Sequence, residues 1–263
     1  MRLRFFVRRL AMLILCFAVA VFGIVAALHL APGSPIARVP GGRPSPAARL
    51  TVLVARYHLD QPFLVQYWYW LTNALHGNLG ISITLRENVS DLIASRISTT
   101  AGLVLYSSIL IIAIGVGLGT AAGLRPGLLD TSVLVITAIS ASVPSFVAAI
   151  VLILVLAVQL QWFPSLGNGV GFFDQVKHLT LPAVALAISS LAIVARVTRA
   201  AIREESRKEH VQTAVSRGIP TAQLILRHVL RNAAIPFTTI SGITVASLIA
   251  VAAVVEVVFG LAG

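Results

Sequence analysis

Charged residues are scarce in this sequence. Only 11% of its 263 residues are charged, whereas ordinary soluble domains carry about a quarter. Apolar residues make up 57% of the chain, and the mean hydropathy is +0.93. This composition argues against a soluble globular enzyme, a disordered chain and a disulfide-stapled secreted domain. It favours an all-α polytopic protein embedded in a lipid bilayer.

The sequence also lacks the residue patterns that most enzyme chemistry needs. It contains no G-x-x-x-x-G-K-[ST] phosphate loop, so it is not predicted to hydrolyse ATP itself. The single cysteine, Cys16, cannot form an internal disulfide. His178 and His228 have no His or Cys partner at metal-ligand spacing, which favours packing or helix-end roles. We expect no catalytic residue, metal or bound cofactor in this chain.

Long uncharged stretches predict five membrane-spanning helices, since a span needs about 20 apolar residues. They cover residues 10–30, 101–124, 131–160, 179–195 and 233–255. The first stretch could instead be a cleaved signal peptide, but its length and the poor cleavage site favour an uncleaved span. The predicted organisation is an N-terminal spanning helix (1–31), an external loop with an interfacial helix (32–100), and a transmembrane core (101–263).

The position of the basic residues predicts the orientation. The net charge is +11, and arginines cluster before the first span and between the fourth and fifth spans. Because basic loops stay in the cytoplasm, the N-terminus and residues 196–232 are predicted to be cytoplasmic. The anionic partner is then the lipid headgroup layer, and no nucleic-acid partner is expected.

The external loop contains one segment with a clear helical pattern. Asp60 is predicted to cap it and Pro62 to lie in its first turn. Aromatic and apolar residues then recur at helical spacing: Phe63, Tyr67, Trp70, Leu71 and Ala74. This pattern favours an interfacial helix, and an aromatic peptide-binding or sugar-binding surface is the alternative.

Two features inside the spans concern helix packing. Gly115, Gly119 and Gly123 share one helix face, which lets another helix come close. Packing within the subunit is favoured over a subunit interface. Pro144 predicts a kink in the third span, because it removes the donor to the carbonyl of Ser140.

Polar side chains in the spans are few and uncharged. Glu256 is placed at the outer, water-accessible end of the fifth span. No ionisable residue lies at the middle of a span, which argues against a proton relay or an ion channel. A polar pathway lining is predicted at Ser142, Pro144, Ser145, Thr239 and Ser241. Ordinary hydroxyl-to-backbone hydrogen bonds explain these hydroxyls equally well.

The loop 196–232 carries the strongest pattern. Its arginine stripe is interpreted as side chains reaching for the headgroups: Arg196, Arg199, Arg203 and Arg207. A short helix follows with Val211, Ala214, Val215 and Gly218 on one face. Gly218 is a predicted C-cap. After Pro220, a helix capped by Thr221 has a second apolar face, formed by Leu224, Ile225, His228 and Val229. Such exposed faces are suited to docking on another protein, although packing on the chain's own helices would give the same pattern.

Several motifs resemble those of one transporter family. VQTAVSRG (211–218) and RHVLRNAAIP (227–236) resemble the EAA-type coupling loop of ABC importer permeases, in the branch that imports dipeptides, oligopeptides and nickel. Shorter motifs resemble family signatures in the family's order: HLDQP (58–62), GNLGIS (77–82), SVPSF (142–146), HLTLP (178–182) and VEVVF (255–259).

The resemblance implies a subunit of the type I importer fold in the bacterial inner membrane. A second, related permease would complete the pathway, two cytoplasmic ATPases would bind ATP and Mg, and an extracytoplasmic substrate-binding protein would deliver the substrate. The residues implied to couple to the ATPase are Glu209, Val211, Gln212, Thr213, Ala214, Val215, Arg217, Gly218 and Ile219. Gln212 stands where the family has a glutamate, so no charge-based role is expected of it.

The resemblance leaves the substrate and the activity of this chain open. A peptide is the expected cargo, with nickel or another small solute of the same branch as the alternative. Relatives continue into a sixth spanning helix that is missing here after Gly263. A truncated paralogue that does not transport, or an autonomous membrane protein, therefore stays a possible interpretation.

Overall fold

The computed structural model describes residues 2–30, 61–82, 85 and 87–261. The contacts divide the chain into two compact units, Met1–Ala94 and Ser95–Gly263. Asp60, the predicted cap of the external helix, lies outside the described residues. Apart from one β-bridge between Ile81 and Asn88, all regular structure in the described part of the chain is helical.

The first unit contains two helices, α1 (Arg2–Leu30) and α2 (Phe63–Leu75). Helix α2 turns its predicted face inward, because Phe63 and Tyr67 are half-buried and both pack edge-to-face on the Phe22 ring. The Tyr67 hydroxyl donates to the Ala18 carbonyl at 3.2 Å. Pro62 stands at the N-cap rather than in the first turn, so the helix begins later than predicted.

The second unit is a helical bundle. Helix α3 (Val89–Leu124) enters it from the first unit, and α4 (Leu128–Ser142) follows after a short turn. Helix α5 begins at Ser145 and continues as a π-helix to Gln159. Next come α6 (Phe172–Ser206), the short α7 (Glu209–Ser216) and the one-turn α8 (Thr221–Leu224). A π-helical segment, Ile225–Val229, leads into α9 (Leu230–Phe259).

Four helices of the described chain are long and apolar enough to cross a membrane, and the bent pair α4–α5 makes a fifth if it counts as one span. The spanning helices are longer than predicted: α6 extends beyond Ala195 by another 11 residues, to Ser206, and α3 begins 12 residues before Ala101, at Val89. The uncharged stretches predict only the apolar part of each helix, since charged residues continue the helix outside the hydrocarbon layer.

The third predicted span is broken, not merely kinked. Helices α4 and α5 meet at an angle of 96° at Val143 and Pro144. Pro144 has no N–H to give to the Ser140 carbonyl, and the Val143 N–H donates to that carbonyl at 3.3 Å instead. The Ser142 hydroxyl donates to the Ala138 carbonyl. The Ser140 carbonyl therefore keeps a donor, although the helical hydrogen-bond pattern ends at this point.

The broken pair nevertheless crosses the bundle once. Its first turn lies beside the C-terminal end of α6, where Asp130 pairs with Arg199. After α5, the Gly167 N–H donates to the Phe259 carbonyl at 3.2 Å, at the end of α9. The start of α9 lies at the C-terminal end of α6, since Asn232 bonds Glu205. With 30 residues in α9, these two ends are about 45 Å apart.

The glycine face of α3 packs on α6. Gly115, Gly119 and Gly123 are buried, and a Cβ at these positions would meet Val194, Ala195 or Thr198, and Ile202 respectively, at 2.5 to 3.1 Å. The predicted packing within the subunit is therefore confirmed. This close approach fixes α6, the helix that leads into the candidate site.

Candidate functional site

The segment after α6 folds back on its own membrane helices. Val211 and Ala214 of α7 are 2% and 5% exposed and belong to one apolar cluster with Ile202 and Val229. Of the two interpretations that the sequence left open, Val211 and Ala214 follow the second, packing on the chain's own helices. Their side chains anchor α7 to the ends of α6 and α9.

Gly218 ends α7 by the mechanism that its position predicts. Its φ is +73°, a left-handed conformation that glycine adopts without steric cost. The Gly218 N–H donates to the Val215 carbonyl at 2.9 Å, and the Ile219 N–H donates to the Ala214 carbonyl at 3.2 Å. These two bonds form a Schellman motif, which stops the helix and turns the chain toward Pro220.

The rest of α7 and its C-terminal cap are mostly exposed in the described part of the chain. Its exposed residues are Glu209, Gln212, Thr213, Val215, Ser216, Arg217 and Gly218, and Ile219 is half-buried. The Thr213 hydroxyl donates to the carbonyl of Glu209. Val215, with 52% of its surface exposed, is the apolar side chain among these exposed residues of α7.

Three of the four stripe arginines contact helix α4. Arg199 and Arg203 both bond the Asp130 carboxylate, Arg203 at 2.6 Å, and the Arg196 guanidinium donates to the Thr137 hydroxyl at 3.3 Å. Interpreting Arg199 and Arg203 as free headgroup contacts is therefore wrong. Asp130 is 7% exposed, so it forms a buried junction between α4 and the end of α6.

A second acidic junction lies where α6 ends. Glu205 is 4% exposed, and its carboxylate accepts a bond from Lys208 Nζ at 2.6 Å and one from Asn232 Nδ2 at 2.8 Å. His210 Nε2 lies 3.1 Å away. Asn232 belongs to the first turn of α9 and His210 to the first turn of α7. One carboxylate thus joins three helices.

Lys208 is the partly exposed cation of this junction. Its hydrogen bond to the Glu205 carboxylate raises the pKa of Lys208 above its ordinary value, and the negative charges of Glu205 and Glu204 act in the same direction. The ammonium form is therefore held more firmly than in a free lysine.

The predicted pathway residues have different environments. The Ser142 and Thr239 hydroxyls are exposed and donate to the carbonyls of Ala138 and Ile235 of their own helices. Pro144 is exposed, and Ser145 is half-buried at the start of α5. Ser241 is buried. The pathway lining stays a prediction for all five residues.

Two buried oxygens in α9 have no hydrogen-bond partner among the described residues. They are Ser241 Oγ and Glu256 Oε1. Glu256 is 5% exposed, so placing it at a water-accessible helix end is wrong. Phe259, one turn further on in α9, is also buried, which explains how the end of the helix is covered.

The sequence interpretation missed Asp130, Glu205 and Asn232. Asp130 is 69 residues from Arg199, and nothing local indicates that they meet. Glu205 could have been found: it follows Thr198 by seven residues and Ile202 by three, which places it on their buried helix face.

Apolar helices joined by a capped, half-exposed segment define a polytopic membrane protein. Residues 115–263 match the family described as binding-protein-dependent transport system inner membrane component. Residues 2–104 match the N-terminal part of the same kind of component. The chain therefore belongs to this family, the permease subunits of ABC importers.

Several curated relatives are similar over most of their length. The chain is 34% identical to an oligopeptide transport system permease protein of Salmonella typhimurium over 239 residues, which are 90% of this chain and 76% of the relative. A putative peptide transport system permease protein of Brucella abortus is 36% identical over the same shares. The Escherichia coli K12 oligopeptide permease protein is 33% identical, again over 90% and 76%.

Proposed function

We propose that this chain forms half of the translocation pathway of an ATP-driven importer of peptides. A second, related permease subunit completes the pathway. Two cytoplasmic ATPase subunits bind ATP and Mg and drive the cycle, and an extracytoplasmic binding protein delivers the peptide. The peptide assignment rests on the similarity to oligopeptide and peptide permease proteins that are 33 to 36% identical to this chain.

The orientation is part of the proposal. Basic residues favour the cytoplasm, and they precede the first span and surround α7: Arg4, Arg8, Arg9, Arg207, Lys208, Arg217, Arg227 and Arg231. The protein then lies in the bacterial inner membrane, with its N-terminus and α7 on the cytoplasmic side. Val170, which precedes α6, lies on the opposite side of that membrane.

The exposed side of α7 carries the proposal. Helix α7 is anchored by Val211 and Ala214 and stopped at Gly218, so its other face is held in a fixed position. A short helix that is rigidly attached to two membrane helices transmits a push from a partner to both of them. The ATPase contact is therefore assigned to Gln212, Thr213, Val215 and Arg217. Val211 and Ala214 make no direct contact in this proposal; their buried side chains hold α7 in place.

Co-purification tests this contact. The chain is expressed with its neighbouring transport genes and isolated in mild detergent, and bound ATPase subunits are quantified by mass spectrometry. Val215→Glu places a carboxylate at an exposed position of α7. Val170→Glu makes the same change at a valine that is 91% exposed at the other end of the bundle.

We expect the ATPase to be retained by the wild type and by Val170→Glu and to be lost from Val215→Glu. Equal recovery with all three forms would remove α7 from the contact. If no ATPase binds the folded wild type, the importer assignment fails for this chain. Uptake of a peptide, compared with nickel, by vesicles that contain the complete assembly then identifies the cargo.

A further inference from the structure

The chain segments that connect α7 to the two spanning helices α6 and α9 differ in length. Only Arg207 and Lys208 separate α6 from α7. In contrast, the chain reaches α9 only through the turn at Gly218–Pro220, the one-turn helix α8 and a π-helical segment. Along the backbone, a displacement of α7 would therefore reach α6 directly and α9 through a longer connection, so side-chain contacts must link α7 closely to α9.

Glu205 provides a direct link that bypasses this turn. Its Oε1 accepts from Asn232 Nδ2 of α9 at 2.8 Å and lies 3.1 Å from His210 Nε2 of α7. Its Oε2 lies 2.6 Å from Nζ of Lys208, the N-cap of α7. The side chain itself is only 5% exposed, so water has little access to replace a lost partner.

We propose that Glu205 is the positioning residue that makes α7, α6 and α9 move as one body during the transport cycle. This inference rests on the proposed function, because it assumes that an ATPase displaces α7. A buried carboxylate is costly to leave without its donors. Any movement of α7 or α9 away from α6 removes a donor, so the bonded arrangement resists separation of the three helices.

The fold of this region does not depend on Glu205 alone. Ile202, Val211, Ala214 and Val229 form an apolar cluster beneath it, and the Schellman motif at Gly218 holds the end of α7. Replacement of the carboxylate by an amide of the same shape is therefore expected to preserve folding and ATPase binding. We expect the variant to lose the transfer of motion from α7 to α6 and α9.

The test uses the complete transporter in liposomes, with peptide uptake and ATP hydrolysis measured on the same sample. In Glu205→Gln the uptake per ATP falls on the order of tenfold, within the range of coupling between distant sites, while the ATPase stays bound. The matched control is Glu204→Gln, the same change at the exposed neighbouring residue, which keeps the wild-type ratio.

A swapped pair distinguishes the link from a general effect of charge. Glu205→Gln combined with Asn232→Asp exchanges donor and acceptor, so an amide–carboxylate bond between α6 and α9 can form again. We expect this double variant to recover most of the uptake per ATP. If Glu205→Gln does not fold, Asn232→Leu, which removes only the donor of α9, must lower the same ratio.

The outcomes separate this inference from the proposed function. A wild-type assembly without ATP-dependent uptake contradicts the proposed function. If the wild type transports and Glu205→Gln has the same uptake per ATP as Glu204→Gln, the inference alone is wrong. The inference is also wrong if the swapped pair does not raise the uptake per ATP above that of Glu205→Gln. The hydrogen bond between α6 and α9 would then not be needed for coupling.

Discussion

Gly119 of α3 lies directly against the backbone of Ala195 in α6. A Cβ at Gly119 would stand 2.5 Å from the Ala195 carbonyl oxygen and 2.7 Å from Thr198 Cβ. Because the nearest atom belongs to the backbone of a packed helix, it cannot move aside as a flexible side chain would. The spacing of α3 and α6 therefore depends on the absence of a side chain at this position.

Gly119→Ala is expected to destabilise the bundle. Overpacking of this kind costs about 1–3 kcal/mol, so the thermal unfolding midpoint of the purified protein in detergent should fall. Gly117→Ala is the matched control, because a Cβ there meets nothing within 4 Å. Equal midpoints for the two variants would contradict the close packing of α3 on α6.

Asp130 and Arg199 are expected to contribute to stability through one shared interaction. Asp130→Asn removes the charge that Arg199 and Arg203 share, which should lower the thermal midpoint. Arg199→Gln should do the same. The double variant should lose less than the sum of the two single losses, since each removes the same interaction. Strict additivity, measured by thermal unfolding, would show that Asp130 and Arg199 do not interact.

The Lys208 ammonium should lose its proton at a higher pH than an ordinary lysine does. The chain has two lysines, Lys177 and Lys208, so ¹³C-methylated lysines give two NMR signals, and Lys208→Gln assigns them. We expect the Lys208 signal to titrate above the ordinary lysine pKa of about 10.4, because the Glu205 bond raises its pKa. Glu205→Gln should return it toward that value.

The same shift fixes the sign of the pH dependence. Since the pKa of Lys208 is raised in the folded protein, its bond to Glu205 stabilises the fold at pH values below the ordinary lysine pKa. This contribution is lost as the pH rises through the raised value. On the alkaline side, the difference in thermal midpoint between wild type and Lys208→Gln should therefore shrink only at pH values above the ordinary lysine pKa.

Labelling of single cysteines tests the proposed orientation. In a Cys16→Ser background, Val170→Cys should react with a membrane-impermeant maleimide added to intact cells. Ser216→Cys should react only after the membrane is permeabilised. Both positions are exposed, so a difference reports the side of the membrane and not burial. Reversed labelling would place α7 outside and exclude an ATPase contact.

Local patterns predicted the parts of this fold that depend on spacing along one helix. The face of Gly115, Gly119 and Gly123 was found because four-residue spacing places small residues together. The end of α7 at Gly218 was found because a left-handed cap needs glycine. Both features depend only on residues that are close together in the sequence.

Features that depend on distant residues were missed or misjudged. The bond between Asp130 and Arg199 needs the relative rotation of two helices, which periodicity does not provide. Val211 and Val215 are both apolar in the sequence, and only the tertiary packing decides that Val211 faces inward and Val215 outward. The coupling and pathway residues themselves stay predictions, since they depend on subunits outside this chain.

The break at Pro144 constrains what surrounds this subunit. Helix α4 and the helical segment from Ser145 to Gln159 have 15 residues each, about 22 Å, so neither alone crosses a hydrocarbon layer of about 30 Å. Irregular backbone between two such halves cannot face acyl chains, because lipid offers no hydrogen bonds. Pro144 is exposed on this chain. In the assembled membrane it must therefore be covered by another protein subunit or by water, and lipid is excluded from that part of the surface.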